Sequence, residues 1–149
     1  MKYFAYGSNM DKDRMTEREI NFSSRQFAKL DGYKLVFNKK AQGGDFTYAN
    51  ITPSEKDFVE GALYEFPDDE ILKLDRAEGY PNHYDKIQVT VTDKNGNSIN
   101  ATTYIAKQDK VVEGLFPTRE YLNHLLAGKD ILSPSYLDKL KQVQTNESK

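Results

Sequence analysis

The chain has no cysteine and no tryptophan among its 149 residues. Without thiols there is no disulfide framework, no thiolate nucleophile and no zinc site built on sulfur. Histidine is nearly absent too. His83 and His124 are the only two, they lack ligand spacing, and both read as surface residues, so no metal site is expected. Asp11 and Asp13 resemble half of a calcium loop, but the glycine and distal glutamate are missing, and helix-start acids explain them better. No serine stands in a Gly-x-Ser-x-Gly elbow, which argues against a serine hydrolase. No basic block occurs, and the net charge is -2 with a pI near 5.7, so nucleic acid is not an expected partner. No apolar run approaches the ~20 residues that cross a bilayer. The N-terminus lacks the basic-then-apolar order of a signal peptide. A cytoplasmic protein without membrane partner or cofactor is the expectation, and the sequence carries no signal for an oligomeric state.

What is present is aromatic. Ten Tyr and eight Phe can build a core and line a small pocket whose hydroxyls orient a polar ligand. The length fits one domain, expected over residues 1–143, with a polar, frayed tail over 144–149. The most informative stretch is Tyr3-Phe4-Ala5-Tyr6-Gly7-Ser8-Asn9-Met10. An aromatic strand over residues 2–6 runs into a glycine turn, and a short helix is predicted over 10–18. Gly7 permits a sharp turn, and Ser8 and Asn9 are good helix caps. A strand ending in such a turn points several free N–H groups at one spot, which suits a carboxylate or phosphate. An ordinary capped helix start is the competing reading. Tyr6 precedes the turn and can aim its hydroxyl at a ligand, whereas Phe4 belongs to a core.

Further along, the runs 25–30 and 33–38 flank Asp31-Gly32, a two-residue hairpin signal. A loop is predicted over Lys39 to Asp45. The strand over 46–52 is expected to stop at Pro53-Ser54, with a new one from Phe58 to Phe66. Pro67-Asp68-Asp69 opens a helix with Asp68 as its cap, and Gly79 ends it. Tyr84–Thr92 and Ser98–Ile105 form a hairpin around Lys94-Asn95-Gly96-Asn97. Two helices close the chain, one after Pro117-Thr118 and ending near Gly128, the other starting at Ser133-Pro134. Strands outnumber helices and most links are hairpins, so the fold class is α+β, with a mainly antiparallel, barrel-like sheet.

Glu78 is the candidate for chemistry. It falls in the last turn of its helix, where the dipole disfavours a carboxylate. Asp75 lies three residues earlier on the same face and adds like-charge repulsion. Both raise its pKa, toward the range of a general acid/base. Local sequence alone favours a solvated glutamate beside Arg76. Tyr121, on an amphipathic C-terminal helix, reads equally as core or pocket wall.

These blocks together resemble the γ-glutamylcyclotransferase-like family, which includes the AIG2-like proteins. The likeness spans nearly the whole chain. The opening octapeptide resembles the family's substrate loop, and Leu74-Asp75 through Glu78-Gly79 resembles the block with its catalytic glutamate. Ala49 to Pro53, Val59 to Tyr64, and Pro117-Thr118 with Tyr121 resemble further family blocks. The resemblance implies a small mixed β-barrel flanked by helices. It implies an enzyme that cleaves γ-glutamyl amides by internal cyclisation, with Glu78 as acid/base and Tyr6, Gly7, Ser8 and Asn9, joined by Tyr121, around the glutamyl head group. The segments 39–45 and 109–115 are expected to border the opening where the leaving amine sits. A non-catalytic module that binds a small carboxylate is the alternative.

Overall fold

The computed structural model describes residues 1–146. Its centre is a closed five-stranded barrel with the order β1-β3-β2-β4-β5. The strands are β1 (Lys2–Ala5), β2 (Ser24–Lys40), β3 (Thr47–Glu65), β4 (Tyr84–Asp93) and β5 (Ser98–Ala106). All neighbours are antiparallel except β1 and β5, which meet in parallel at Tyr3 and Thr102 and close the barrel. Four α-helices accompany it among the described residues: α1 (Lys12–Glu17), α2 (Ile71–Glu78), α3 (Arg119–Leu126) and α4 (Pro134–Lys141). The expected mixed, mainly antiparallel barrel with peripheral helices is what the chain forms. No helix among the described residues is long and apolar enough to cross a membrane.

β1 shows why the opening octapeptide is so aromatic. Its residues alternate between two apolar layers, Phe4 among Val59, Leu63 and Val91, and Tyr3 and Ala5 among Met10, Tyr64 and Leu122. A strand covered on both faces reads as continuous apolar sequence rather than as alternation. The layer on the Phe4 side is built by all five strands, and the other packs strands against helices.

Several local expectations are corrected. Asp31-Gly32 is not a hairpin turn. β2 runs straight through it, with Gly32 in the left-handed region (φ 84°) at a register shift between Asp31 and Tyr33. Gly32 answers a bulge, a demand that leaves the same sequence mark as a turn. Pro53-Ser54 does not end its strand either. Pro53 faces Tyr33 at that same shift, and β3 resumes with Phe58 opposite Asp31. A bulge tolerates proline because the ladder there has no bond for its missing N–H to make. The loop expected from Lys39 begins only after Lys40. Asp68 caps nothing, since a 3-10 turn over Asp68–Glu70 leads into α2. Gly79 does end α2, in a left-handed conformation (φ 76°), and the Tyr80 N–H closes back onto the Asp75 carbonyl at 2.9 Å. The expectation of fraying from residue 144 fails at its start. Thr145 is buried, and the Asn146 N–H donates to the Pro117 carbonyl at 2.9 Å. Residues 147–149 lie outside the described residues.

Candidate active site

The Gly7 turn is built differently from the expected helix cap. Ser8–Met10 form a single 3-10 turn, and the cap of α1 is Asp11, whose carboxylate accepts from the Asp13 N–H at 3.0 Å. Ser8 and Asn9 are buried instead. Gly7 has φ -114°, so conformational freedom is not what it supplies. What it supplies is room: a Cβ there would stand 3.1 Å from the Tyr121 hydroxyl and 3.3 Å from the Ala49 Cβ. The outer side of the turn is tied down. Tyr64 donates its hydroxyl to the Asn9 carbonyl at 2.6 Å, and Arg25 donates to the Met10 carbonyl at 2.7 Å.

Tyr121 anchors the turn from α3. Its hydroxyl accepts from the Ala49 N–H at 3.0 Å, and the Ser8 N–H bears on the same oxygen. Tyr84 donates to the Ala49 carbonyl at 3.3 Å, so two tyrosines bracket one residue of β3. Tyr6 also commits its proton, donating to the Tyr104 carbonyl at 2.7 Å across the β1–β5 seam. Asn9 spends its amide on positioning: it donates to the Tyr3 hydroxyl at 2.9 Å and accepts from Arg18 at 2.5 Å.

A cavity of about 300 Å³ opens beside this turn, with Ser8, Arg14, Arg18, Lys39, Glu78 and Tyr121 in its walls. A narrow extension of about 20 Å³, lined by Tyr3, Tyr6, Gly7, Ser8, Asn9 and Glu78, shares Ser8, Glu78, Tyr84 and Tyr121 with it. Every site residue expected from the sequence (Tyr6, Gly7, Ser8, Asn9, Glu78 and Tyr121) therefore meets at one place. Glu78 lines both compartments and stands at their junction.

Glu78 is not the solvated surface residue that local sequence favoured. Its side chain keeps 18% of its surface accessible and pairs with Arg18 at 3.1 Å. Burial raises its pKa above the ordinary carboxylate value, and Arg18, Arg14 and Lys39 pull against that rise. Repulsion from Asp75 is not the leading cause. Asp75 turns to Lys86 at 3.0 Å and accepts from the Tyr104 hydroxyl at 2.7 Å, which occupies its charge elsewhere.

Sequence reading missed the cations. Arg14 and Arg18 are four residues apart, a spacing that places two side chains on one helical face and was a usable signal. Lys39 belongs to the segment 39–45 that was expected at the opening, and it lines the cavity there with Gln42, but nothing local singled out its ammonium. The histidines are also corrected, since both are half-buried. His83 lines the cavity and packs its ring against Gly79. His124 bonds Asp11 through Nδ1 at 2.8 Å and Arg14 through Nε2 at 3.1 Å. As an acceptor from the always-charged guanidinium, Nε2 carries no proton, so Nδ1–H donates to Asp11.

The family model described as "Gamma-glutamyl cyclotransferase, AIG2-like" matches residues 3–123, which takes in every residue of this cavity. The chain belongs to that family. It is 29% identical to a Bos taurus protein named Gamma-glutamylcyclotransferase, over 99% of this chain and 80% of the relative. The Homo sapiens protein of that name is 28% identical over 97% of this chain and 79% of its own length. A solved structure named Gamma-glutamyl cyclotransferase superposes with a TM-score of 0.86 at 28% identity, covering 99% of this chain and 89% of the other. The family is one of enzymes that cyclise γ-glutamyl amides.

Proposed function

We propose that this protein cleaves a γ-glutamyl amide by attack of the substrate's own α-amine, releasing 5-oxoproline and an amine, with residues 1–143 acting as one catalytic domain in the cytoplasm. The observation that carries this reading is that Glu78 lines the same narrow extension of the cavity as the Gly7-Ser8 turn. The α-amine nitrogen bonds to the γ-carbonyl carbon, the amide C–N bond breaks, and no water is consumed. The nucleophile belongs to the substrate, so neither a serine nor a thiol is needed. Folding the substrate for ring closure makes the step intramolecular, and ideal cases of this kind reach effective molarities of ~10⁵–10⁸ M.

Glu78 takes a proton from the α-ammonium and returns one to the departing nitrogen. Its raised pKa suits both halves of that cycle, and Arg18 holds it in place. The Gly7-Ser8 turn, backed by Tyr121, receives the glutamyl head group. Tyr6 and Asn9 shape that compartment, the latter by orienting Arg18.

The test is release of 5-oxoproline from a panel of γ-glutamyl amides by the parent and by Glu78→Gln. Product from the parent and none from the variant supports the enzyme. No product from either, with a small carboxylate still bound, supports a non-catalytic binding module. The Arg18–Glu78 ion pair is the observation in favour of that second reading, because it gives Glu78 a purely structural use.

A further inference from the structure

Arg14 is held without a counter-ion. Arg18 pairs with Glu78 and Arg25 with Asp130, but Arg14 forms no ion pair among the described residues. An arginine on a short surface helix ordinarily carries its head out into water. The Arg14 side chain is half-buried instead, and its Nε is enclosed with no hydrogen-bond partner among the described residues. Burying an unpaired donor is unfavourable, so something must hold the head there. That bond runs from Nη1 to His124 Nε2 at 3.1 Å.

His124 can hold it because its own tautomer is fixed. Nδ1–H donates to Asp11 at 2.8 Å, which leaves Nε2 as the lone-pair acceptor. Asp11 is fixed in turn, since its other oxygen accepts from the Asp13 N–H at 3.0 Å. Leu122 and Leu125 seat α3 in the same apolar layer as Met10 and Met15, so the imidazole is carried by an anchored helix. Tyr121 and His124 lie three apart on α3 and face the same way. One anchors the Gly7-Ser8 turn and the other holds Arg14. The remaining charges nearby are Glu120 beside His124 and Glu17 and Arg18 beside Arg14.

The place where Arg14 is held matters. A second hollow of about 350 Å³ lies beside the central cavity and shares Arg14, Tyr48 and Tyr121 with it. His124 lines the second hollow and Glu78 lines the central cavity, while neither lines the other. Arg14 therefore stands in the partition and is gripped from the side away from Glu78. Its charge still reaches the acid. Among the cations that pull against the burial of Glu78, Arg14 follows Arg18 and precedes Lys39.

We propose that His124 is a positioning residue, which together with Asp11 holds the Arg14 guanidinium in the wall of the cavity that Glu78 lines. The inference rests on the acid/base role given to Glu78 above and adds a support for it that comes through the partition. Without an acceptor at Nε2, Arg14 loses the bond that keeps it inside, and its head turns out to water. Glu78 then has one opposing cation fewer and ionises at higher pH.

The experiment reads the ionisation of Glu78 in two ways. One is the acid limb of kcat/KM against pH for a γ-glutamyl amide. The other needs no turnover: NMR of the Glu78 carboxyl carbon against pH, assigned with Glu78→Gln. His124→Leu is expected to move both midpoints to higher pH, by less than Arg18→Met does, and to add nothing once Arg14→Met is present. His124→Gln offers both a carbonyl acceptor and an N–H donor, and is expected to stay near the parent. Asp11→Asn keeps a good cap on α1 but turns an N–H toward Nδ1, which drives the imidazole to its other tautomer and should reproduce the leucine shift. A midpoint in His124→Leu that stays in place or moves down overturns the proposal, even if stability falls, because His124 is then only part of the scaffold. A shift that persists in the Arg14→Met background overturns it too, as does a glutamine variant no closer to the parent than the leucine one. If the parent turns over no amide, the acid/base reading of Glu78 fails while the NMR midpoint still decides the role of His124. Should His124→Leu not fold, Asp11→Asn is read the same way.

Discussion

The Arg18 guanidinium stands 3.1 Å from the Glu78 carboxylate, and this contact opposes what burial does to the acid. Burial favours the neutral carboxyl and Arg18 favours the charged one, with burial prevailing. Arg18 is itself fixed by Asn9, so the turn at Gly7 and the acid at Glu78 are coupled through one side chain. Removing the guanidinium therefore has a signed consequence. In Arg18→Met the Glu78 pKa rises further. Glu78 must be ionised to accept the α-amine proton, so the acid limb of the pH profile of kcat/KM moves to higher pH. A limb that stays in place or moves down contradicts the proposed role of Glu78.

Glu78→Gln separates chemistry from stability. The variant keeps an oxygen for Arg18 but has no proton to exchange, and the loss of activity is expected at roughly 10²–10⁴-fold or more. Stability goes the other way. The folded pKa lies above the unfolded value, so the folded state binds the proton more tightly. The cost of ionising Glu78 is absent below the unfolded pKa, grows as pH rises to the folded pKa, and is constant above it. Denaturant titrations should find the glutamine variant at least as stable as the parent at neutral pH, with the two converging below the unfolded carboxylate value. A variant clearly weaker at neutral pH than at acid pH would show that the ion pair outweighs burial.

The parts of this site that were legible in the sequence are those that chemistry must place locally. The Gly7 turn needs an uncrowded backbone, and Glu78 needs a helix end closed by Gly79, so both left marks within a few residues. The long β2–β3 ribbon was misread because a bulge glycine and a turn glycine look alike, and because Pro53 is compatible with a strand only once its partner is known. Tyr84 was missed for a related reason, and Lys39 was expected only as part of a segment at the opening. Both line one cavity because the barrel order sets β4 beside β2, and no local pattern records that.

Two glycines separate crowding from geometry. At Gly61 an added Cβ would collide with the Ala5 carbonyl oxygen, a backbone atom that cannot yield without parting β1 from β3. At Gly7 the neighbours are the Tyr121 hydroxyl and the Ala49 methyl at 3.1 and 3.3 Å, which can move by a few tenths of an ångström. Gly7→Ala is expected to cost about 1–3 kcal/mol, and Gly61→Ala more than that overpacking range. Chemical denaturation of both variants checks the order. In Gly7→Ala the displacement falls on the head-group compartment, so the KM for a γ-glutamyl amide should rise even at temperatures where the protein is fully folded.

Tyr121→Phe tests the anchor with a change of one atom. The lost oxygen accepts from the Ala49 N–H, and the ring contact with Tyr48 at a centroid distance of 5.0 Å remains. The Ala49 N–H is then left without its acceptor in a part-buried setting, which costs about 1–3 kcal/mol. For a chain of this length that corresponds to a Tm lower by roughly 2–12 °C. The kinetic effect should be distinct from the thermal one. The Ser8 N–H loses the same oxygen, so the Gly7-Ser8 turn no longer has a fixed distance to Glu78. Substrate alignment suffers more than binding, and kcat should fall by a larger factor than KM rises. A drop in Tm with unchanged kcat would confine Tyr121 to supporting β3 and remove it from the head-group compartment.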